Sequence, residues 1–420
     1  MSLSKGSSSF MDKRVVITGY GVVTPFGLGE APIFDNVFEG KHCFRPLHSI
    51  DTSRSYTKVG GEAPVEERSY KFFTEYCAGE ALAMAGLDPE NHGSSLEKAA
   101  VAVGNLGDGT YLLNYYEQFS PGWEEEAVAS KKTEFARSEG GRPVSIHDSN
   151  PYEQAAAVAG IIGSTGECLA FTNACVASAN AIGYGFDQVR KGRTPVAAAG
   201  GINVLYPIVF YNFDSSRAMA EEVVRPFSKH RSGLLIGDGA AILILEELQH
   251  ALSRGAEPLA EMIGWGLSSD GFHITQPDPE GDGLARSMKT ALRQANCRPE
   301  EVDYINAHGT GTPLNDSSET NALKQVFGEH ARHIPVSSTK STTGHMLEAT
   351  GAVEAIISVL ALIQGKIPPT ANFVEPDEGL DLDYVTEGSR QKRLDVVMSN
   401  SRAFGGNNCT LLFRRWNGGE

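Results

Sequence analysis

The chain has 420 residues, 36 Lys and Arg against 52 Asp and Glu, and a formal net charge of −16. With 41% hydrophobic and 21% charged residues it has ample material for a core, which excludes disordered, collagen-like and disulfide-scaffold classes. The acidic balance argues against general nucleic-acid binding while allowing a local basic patch for an acidic partner.

Residues 1–11 are Ser-rich, lack an apolar stretch, and read as a loose tail or expression remnant rather than a signal peptide, so a cytoplasmic location follows by default. Arg14–Thr24 is a β-branched run entering a turn, the pattern of a buried strand. Lys71–Gly86 carries apolar residues at helical spacing, and Ala100–Gly104 is another buried strand. Residues 120–150 mix Pro, Gly and charge runs and read as a surface excursion. The Ala-rich helix Tyr152–Ile162 leads to a strand at Leu169–Asn173 and a second Ala-rich helix, Val176–Arg190. Strands at Pro195–Gly200 and Ala240–Leu245 follow. No run reaches the roughly 18 apolar residues of a membrane span. The most apolar helix, Ala352–Ile363, carries Glu354.

Alternation of strand and helix indicates a layered α/β architecture. There is also an internal echo. Leu259–Ser269 repeats the strand, Gly, aromatic, Gly character of Arg14–Thr24. In each part a Gly, Ala and Ser-rich turn later opens an Ala-rich helix, at Asn173–Ala179 and at Ser338–Gly351. A duplicated layer with the site between the two copies is the natural expectation.

Six cysteines (Cys43, Cys77, Cys168, Cys175, Cys297, Cys409) show no CxxC spacing, so a zinc site is not expected. Cys175 differs from the others because a strand stops and a helix of small residues starts there. The helix N-terminus is expected to lower the thiol pKa. A second segment, Tyr304–Asp316, ends an apolar run in Asn306-Ala307-His308 and continues Gly309-Thr310-Gly311-Thr312. Its glycines permit close approach to a ligand, but the spacing of a nucleotide-phosphate loop is missing. A third, Val336–Glu354, places Lys340 and His345 five apart across a Ser/Thr/Gly turn. A fourth, Met398–Asn408, sets Phe404 on a Gly-rich turn where it could serve as a gate.

These four segments, in this order, resemble the condensing enzymes of fatty-acid and polyketide synthesis, most of all the elongating beta-ketoacyl-[acyl-carrier-protein] synthases. The resemblance spans Lys13 to Arg414. It implies a thiolase-like five-layered αβαβα fold of two pseudo-symmetric halves, here 12–258 and 259–415. It implies decarboxylative condensation of an acyl thioester with malonyl-[acyl-carrier-protein], with no metal and no organic cofactor. Cys175 matches the nucleophile, His308 and His345 the pair acting on the malonyl thioester, and Lys340 the Lys beside the second His. Phe404 matches the gate, whose N–H joins that of Cys175 in an oxyanion hole, and Thr310 and Thr312 match residues holding the pantetheine arm.

The resemblance also implies a homodimer and an acidic acyl carrier protein as partner. Carrier docking then needs a basic patch: Lys71 and Arg217 fall where related synthases carry such residues, and Arg68, Lys131 and Lys132 are further candidates. The sequence departs from the family pattern at Asn173-Ala174-Cys175, at Arg402, where an apolar residue is usual, and at Ala403, where Gly is usual. Two alternatives stand beside this reading. A thiolase would need a second catalytic Cys, for which Cys409 is the candidate. A non-catalytic chain-length-factor-like subunit would be expected to lack the nucleophile.

Overall fold

A computed structural model describes residues 12–109 and 149–418. The excursion at 120–150 therefore lies almost entirely outside the described residues, as do Lys131 and Lys132. In the first part of the chain the sheet strands are β1 (Val15–Thr24), β2 (Ala100–Gly104), β3 (Cys168–Phe171), β4 (Val196–Asn203) and β5 (Gly239–Glu247). In the second they are β6 (Ala260–Ser269), β7 (Tyr304–Asn306), β8 (Val336–Ser337), β9 (Val396–Ala403) and β10 (Asn407–Arg415). The strand order is β3-β2-β4-β5-β1 followed by β6-β10-β9-β7-β8.

The second set repeats the first strand for strand. β2 is parallel to β3 and β4, while β5 runs antiparallel to β4 and β1. Likewise β7 is parallel to β8 and β9, while β10 runs antiparallel to β9 and β6. The two sets meet only where Val15, Val16 and Ile17 pair with Met262, Glu261 and Ala260. Even the irregularity is repeated. The register skips Thr18 between Ile17 and Gly19, and skips Ile263, its counterpart, between Met262 and Gly264.

Close packing explains the Gly-aromatic-Gly echo. A Cβ at Gly21 would come within 2.2 Å of the Cys77 carbonyl, and one at Gly266 within 2.0 Å of the Ser287 carbonyl. Those carbonyls belong to α1 (Tyr70–Ala85) and to its counterpart (Asp282–Gln294), which therefore lie directly on the two strands. The remaining helices used below are α2 (Tyr152–Ile162), α3 (Ala177–Arg190), α4 (Pro207–Ser215), α5 (Asp282–Gln294), α6 (Pro313–Phe327) and α7 (Thr350–Gln364). Helices α3 and α7 pack on each other and on strands of both sets, α1 and α2 pack on the first set, and α5 with α6 covers the second. The order is αβαβα, as the resemblance implies.

Helix α7 is apolar because it forms the central layer. The stretch Leu347–Gln364 has mean hydropathy 1.6, long and apolar enough to cross a membrane, yet 89% of it is buried inside the protein. Val353, Ile356, Ile357, Val359, Leu360 and Leu362 are all buried, and each contributes about 1.5–3 kcal/mol on removal from water. Several boundaries differ from the sequence reading, most of them by one to three residues, and two of them lie beside Cys175. The strand expected from Leu169 runs Cys168–Phe171, and the helix expected from Val176 starts at Ala177, after a 3₁₀ turn at Ala174–Val176.

Candidate active site

The four segments converge. Cys175, His308, Thr310, Thr312, His345 and Phe404 line one cavity of about 380 Å³, with Arg217 and Arg402 in its wall. Cys175 sits in the 3₁₀ turn that feeds α3, immediately after Ala174, whose φ of 55° is left-handed. Its thiol is buried. The expectation of a lowered pKa is overturned: the thiol is pushed up to about 12, first by burial and then by the Glu348 carboxylate, with Lys340 opposing. The resting group is a neutral thiol because desolvation and a nearby acid outweigh the helix terminus.

The two imidazoles come from the second set of elements. His308 follows β7, and its backbone is held by a carboxylate inside α6: the His308 and Gly309 N–H groups donate to Glu319, each at 2.8 Å. Asp316, also on α6, accepts from Gly311 N–H at 3.2 Å and from Phe227 N–H at 2.7 Å. The rings of His308 and His345 are 5.4 Å apart between centroids and nearly perpendicular, at 82°. The Leu347 N–H donates to His345 Nδ1 at 3.1 Å, and Thr350 Oγ1 lies 2.9 Å from the same nitrogen. A nitrogen that accepts from a backbone N–H carries no proton, so the neutral ring bears its hydrogen on Nε2. His308 Nδ1 has no partner among the described residues. Both histidines are held well below their usual pKa, by burial first and by Lys340 second, with His345 and Arg402 adding to the effect at His308. Both are neutral at pH 7.

Lys340 is a buried residue, 1% exposed, and its Nζ lies 2.6 Å from Glu354 Oε1. Burial pushes the Glu354 carboxyl up to about 7 against the pull of Lys340. From the sequence, Glu354 only interrupts an apolar helix; its role as counter-ion becomes visible when α7 is placed under the Lys340 turn. The Thr310 and Thr312 hydroxyls are 2.8 Å apart on the cavity wall. Phe404 is 44% exposed and stacks on Phe213 of α4 with centroids 5.8 Å apart. The strand that leads to it, β9, packs on the Cys175 turn.

Arg402 is buried and fully engaged. It donates to Asn408 at 3.0 Å and Ser318 at 3.0 Å, and its Nη2 lies 3.4 Å from Asp270. Asn408 in turn donates to Asp270 and to the Gly406 carbonyl. The departure from an apolar residue thus ties the Phe404 turn to Asp270. Among the docking candidates, Arg217 is exposed at the cavity rim, its Cζ 4.6 Å over the Tyr56 ring. Lys71 is 78% exposed, 3.9 Å from Glu75. Arg68 is corrected. It is paired with the buried Asp238 at 2.7 Å and donates toward the Leu205 carbonyl, so it holds loops together and presents no charge to a partner. Cys409, the second cysteine a thiolase would need, is fully buried within β10 and does not line the cavity.

A thiol from one half of a duplicated α/β fold, set against two neutral imidazoles from the other, defines a condensing enzyme of the thiolase-like class. The comparisons narrow this. The family profiles "Beta-ketoacyl synthase, N-terminal domain" and "Beta-ketoacyl synthase, C-terminal domain" match residues 70–251 and 259–374. The chain is 36% identical to the "3-oxoacyl-[acyl-carrier-protein] synthase 2" of Synechocystis sp., over 96% of this chain and 98% of that one. It is 36% identical to "Nodulation protein E" of Rhizobium meliloti, over 96% and 100%. Among solved structures, the ishigamide ketosynthase/chain length factor superposes with a TM-score of 0.86 at 32% identity, covering 97% of this chain and 100% of that one. A type II PKS acyl-carrier protein in complex with its ketosynthase bound to the hexaketide gives 0.86 at 28%, covering 96% and 100%. The chain belongs to the beta-ketoacyl synthase family. It is a condensing acyltransferase of fatty-acid or polyketide chain elongation.

Proposed function

We propose that Cys175 carries the acyl chain and that His308 and His345 act on the malonyl unit. Cys175 Sγ attacks the thioester carbonyl of an acyl carrier protein. A C–S bond to the enzyme forms, the bond to the carrier breaks, and the thiol proton ends on the carrier thiol. Malonyl-carrier then enters, its pantetheine arm lying along Thr310 and Thr312. Loss of CO₂ leaves the electron pair as an enolate, whose oxygen accepts from the Nε2–H donors of the two histidines. The enolate carbon attacks the acyl-Cys175 carbonyl, and the N–H groups of Cys175 and Phe404 hold the oxyanion. Collapse releases the ketoacyl-carrier and leaves a Cys175 thiolate, which takes a proton from solvent to return the thiol. The single observation supporting this most is the Leu347 N–H on His345 Nδ1, which leaves Nε2–H free to donate without a charged imidazolium.

The same reading assigns the halves to 12–258 and 259–415, the docking patch to Arg217 and Lys71, and the location to the cytoplasm. A homodimer is supported by β3: among the described residues it pairs with β2 alone, and all four of its residues are partly exposed. An acyl carrier protein as partner is supported by the complex named above. The test is Cys175→Ala with intact-protein mass spectrometry: acylation is abolished, while CO₂ release from malonyl-carrier persists. Acylation surviving at Cys168 or Cys43 overturns the assignment.

A further inference from the structure

Two arginines line the cavity that holds Cys175, and only one of them is engaged. Arg402 is buried against Asn408, Ser318 and Asp270. Arg217 stands exposed at the mouth, and no described residue hydrogen-bonds or ion-pairs with its guanidinium. It follows α4 in the left-handed conformation that closes the helix, with φ 56° and its N–H on the Asp214 carbonyl at 3.1 Å. Glycine is usual at such a position, so the helix end does not call for an Arg. What holds the side chain is a shelf: its Cζ lies 4.6 Å over the Tyr56 ring, a cation–π contact. The shelf is itself fixed. The Tyr56 hydroxyl donates to Glu221. The N–H groups of Tyr56 and Thr57 donate to the Asp214 carboxylate at 3.1 and 2.9 Å, and the Thr57 hydroxyl donates to the Ala220 carbonyl at 2.9 Å. Both nearby carboxylates thus serve the shelf, and Arg217 keeps its N–H groups without acceptors.

A substrate arm that reaches Cys175 from a carrier protein passes this mouth, because Arg217, Thr310, Thr312 and the thiol line one cavity. The pantetheine chain is uncharged. Its one charge is the phosphodiester that joins it to the carrier, at the end farthest from the thioester. With the thioester at Sγ and the chain along the threonines, that group is the part of the arm left at the mouth. A guanidinium suits it, since its fork matches two phosphate oxygens, and the shelf sets its position before the ligand arrives. The chain's net charge of −16 otherwise repels an anion. Resting on the acyl-Cys175 reading above, we propose that Arg217 binds the phosphate of the arm, independently of the carrier's own surface, and that Tyr56 positions it.

The test measures acylation of the full chain below saturation by hexanoyl-pantetheine and by the methyl phosphodiester of hexanoyl-4′-phosphopantetheine, which has the single negative charge of the carrier linkage. Mass spectrometry of the Cys175 peptide reads the rates. The phosphodiester is expected to react about tenfold faster, the low end for a hydrogen-bonded charge because the site is exposed, and the advantage should shrink with added salt. Arg217→Gln should bring the ratio to within about twofold of one through loss on the phosphodiester. Arg217→Lys, a charge without the fork, and Tyr56→Leu, a charge without the shelf, should each lower the ratio about threefold. Lys71→Gln, at a residue that does not line the cavity, should leave the ratio as it is. A wild-type ratio below about threefold, or an equal drop in Lys71→Gln and Arg217→Gln, overturns the inference. A raised KM for acyl-carrier in Arg217→Gln beside a wild-type ratio of one also overturns it, giving Arg217 to the carrier's protein surface. Acylation by neither thioester overturns the Cys175 assignment itself and this inference with it, a result distinct from acylation without preference.

Discussion

Replacing His345 by Ala removes one donor from the enolate site and little else from the thiol. The structure supplies the size of the effect. His345 is buried, its Nδ1 is fixed as acceptor by Leu347 N–H, and it is neutral, so the lost group is a single Nε2–H in a dry site. Loss of one preorganised donor to a developing oxyanion costs about 10²–10³ in rate, or about 2.7–4 kcal/mol. Release of CO₂ from malonyl-pantetheine should fall by that factor, while acylation of Cys175 falls less than about fivefold. The Leu347 amide is orphaned as well, costing about 1–3 kcal/mol of stability, so a melting curve must accompany the assay. The depressed histidine pKa values add a second signature: the wild-type decarboxylation rate should be flat from pH 6 to 8, where an ordinary imidazole titrates. A loss below tenfold, equal losses in the two half-reactions, or a rate that drops with an apparent pKa near 6.5 would each refute the neutral-donor reasoning.

Lys340→Ala strands the Glu354 carboxyl and should cost about 3–5 kcal/mol. It should also raise both histidine pKa values, bringing an acid limb into the pH profile of CO₂ release; unchanged melting and profile would sink this. Glu348 is raised to about 7 by burial, so the folded chain binds an extra proton between about pH 4.5 and 7, and the stability that proton brings is present below 4.5 and lost above 7. Glu348→Gln should therefore stabilise by about 3 kcal/mol at pH 8 and by little at pH 4.5, which urea titrations at the two pH values would check. Lys71→Glu with Arg217→Glu should raise the KM for acyl-carrier several-fold and weaken its salt dependence. Turnover of a pantetheine thioester should change by less than about twofold, and equal damage to both substrates would remove the docking patch.

What was legible in the sequence was whatever repeats at short range. The strands and helices follow apolar periodicity, and the Gly-aromatic-Gly echo follows from helices resting on the two central strands. Cys175 and His308 stand out because each sits where a strand gives way to a turn of small residues, and His345 because it lies across a Ser/Thr/Gly turn from Lys340. The groups that tune them were not legible. Glu354 and Glu319 look like ordinary polar positions on helices, and only the stacking of α7 and α6 beneath the turns makes them a counter-ion and a backbone clamp. Arg68 looked like a free surface charge beside a helix start because Asp238, its partner, is 170 residues away. The thiol pKa differs from the expectation for the same reason: the helix terminus is local, whereas Glu348 comes from the other half and the thiol is buried in a cluster with residues far off in the chain, among them Leu47, Met219, Leu234 and Leu347.

The duplication also says which strain is architectural. A non-Gly residue in the left-handed region beside a nucleophile invites the reading that strain primes the thiol. Yet Leu347 adopts the same conformation before Glu348, where no nucleophile stands. The turn that leads into each central helix, after an edge strand of each set, has this shape in both halves, so the strain at Ala174 belongs to the scaffold. Ala174→Gly, which relieves about 1 kcal/mol of left-handed cost and returns a similar amount to the unfolded chain's freedom, should leave melting nearly unchanged and acylation of Cys175 within about twofold. A tenfold slower acylation with the fold intact would instead place that strain in the reaction, and the parallel with Leu347 would be structural coincidence.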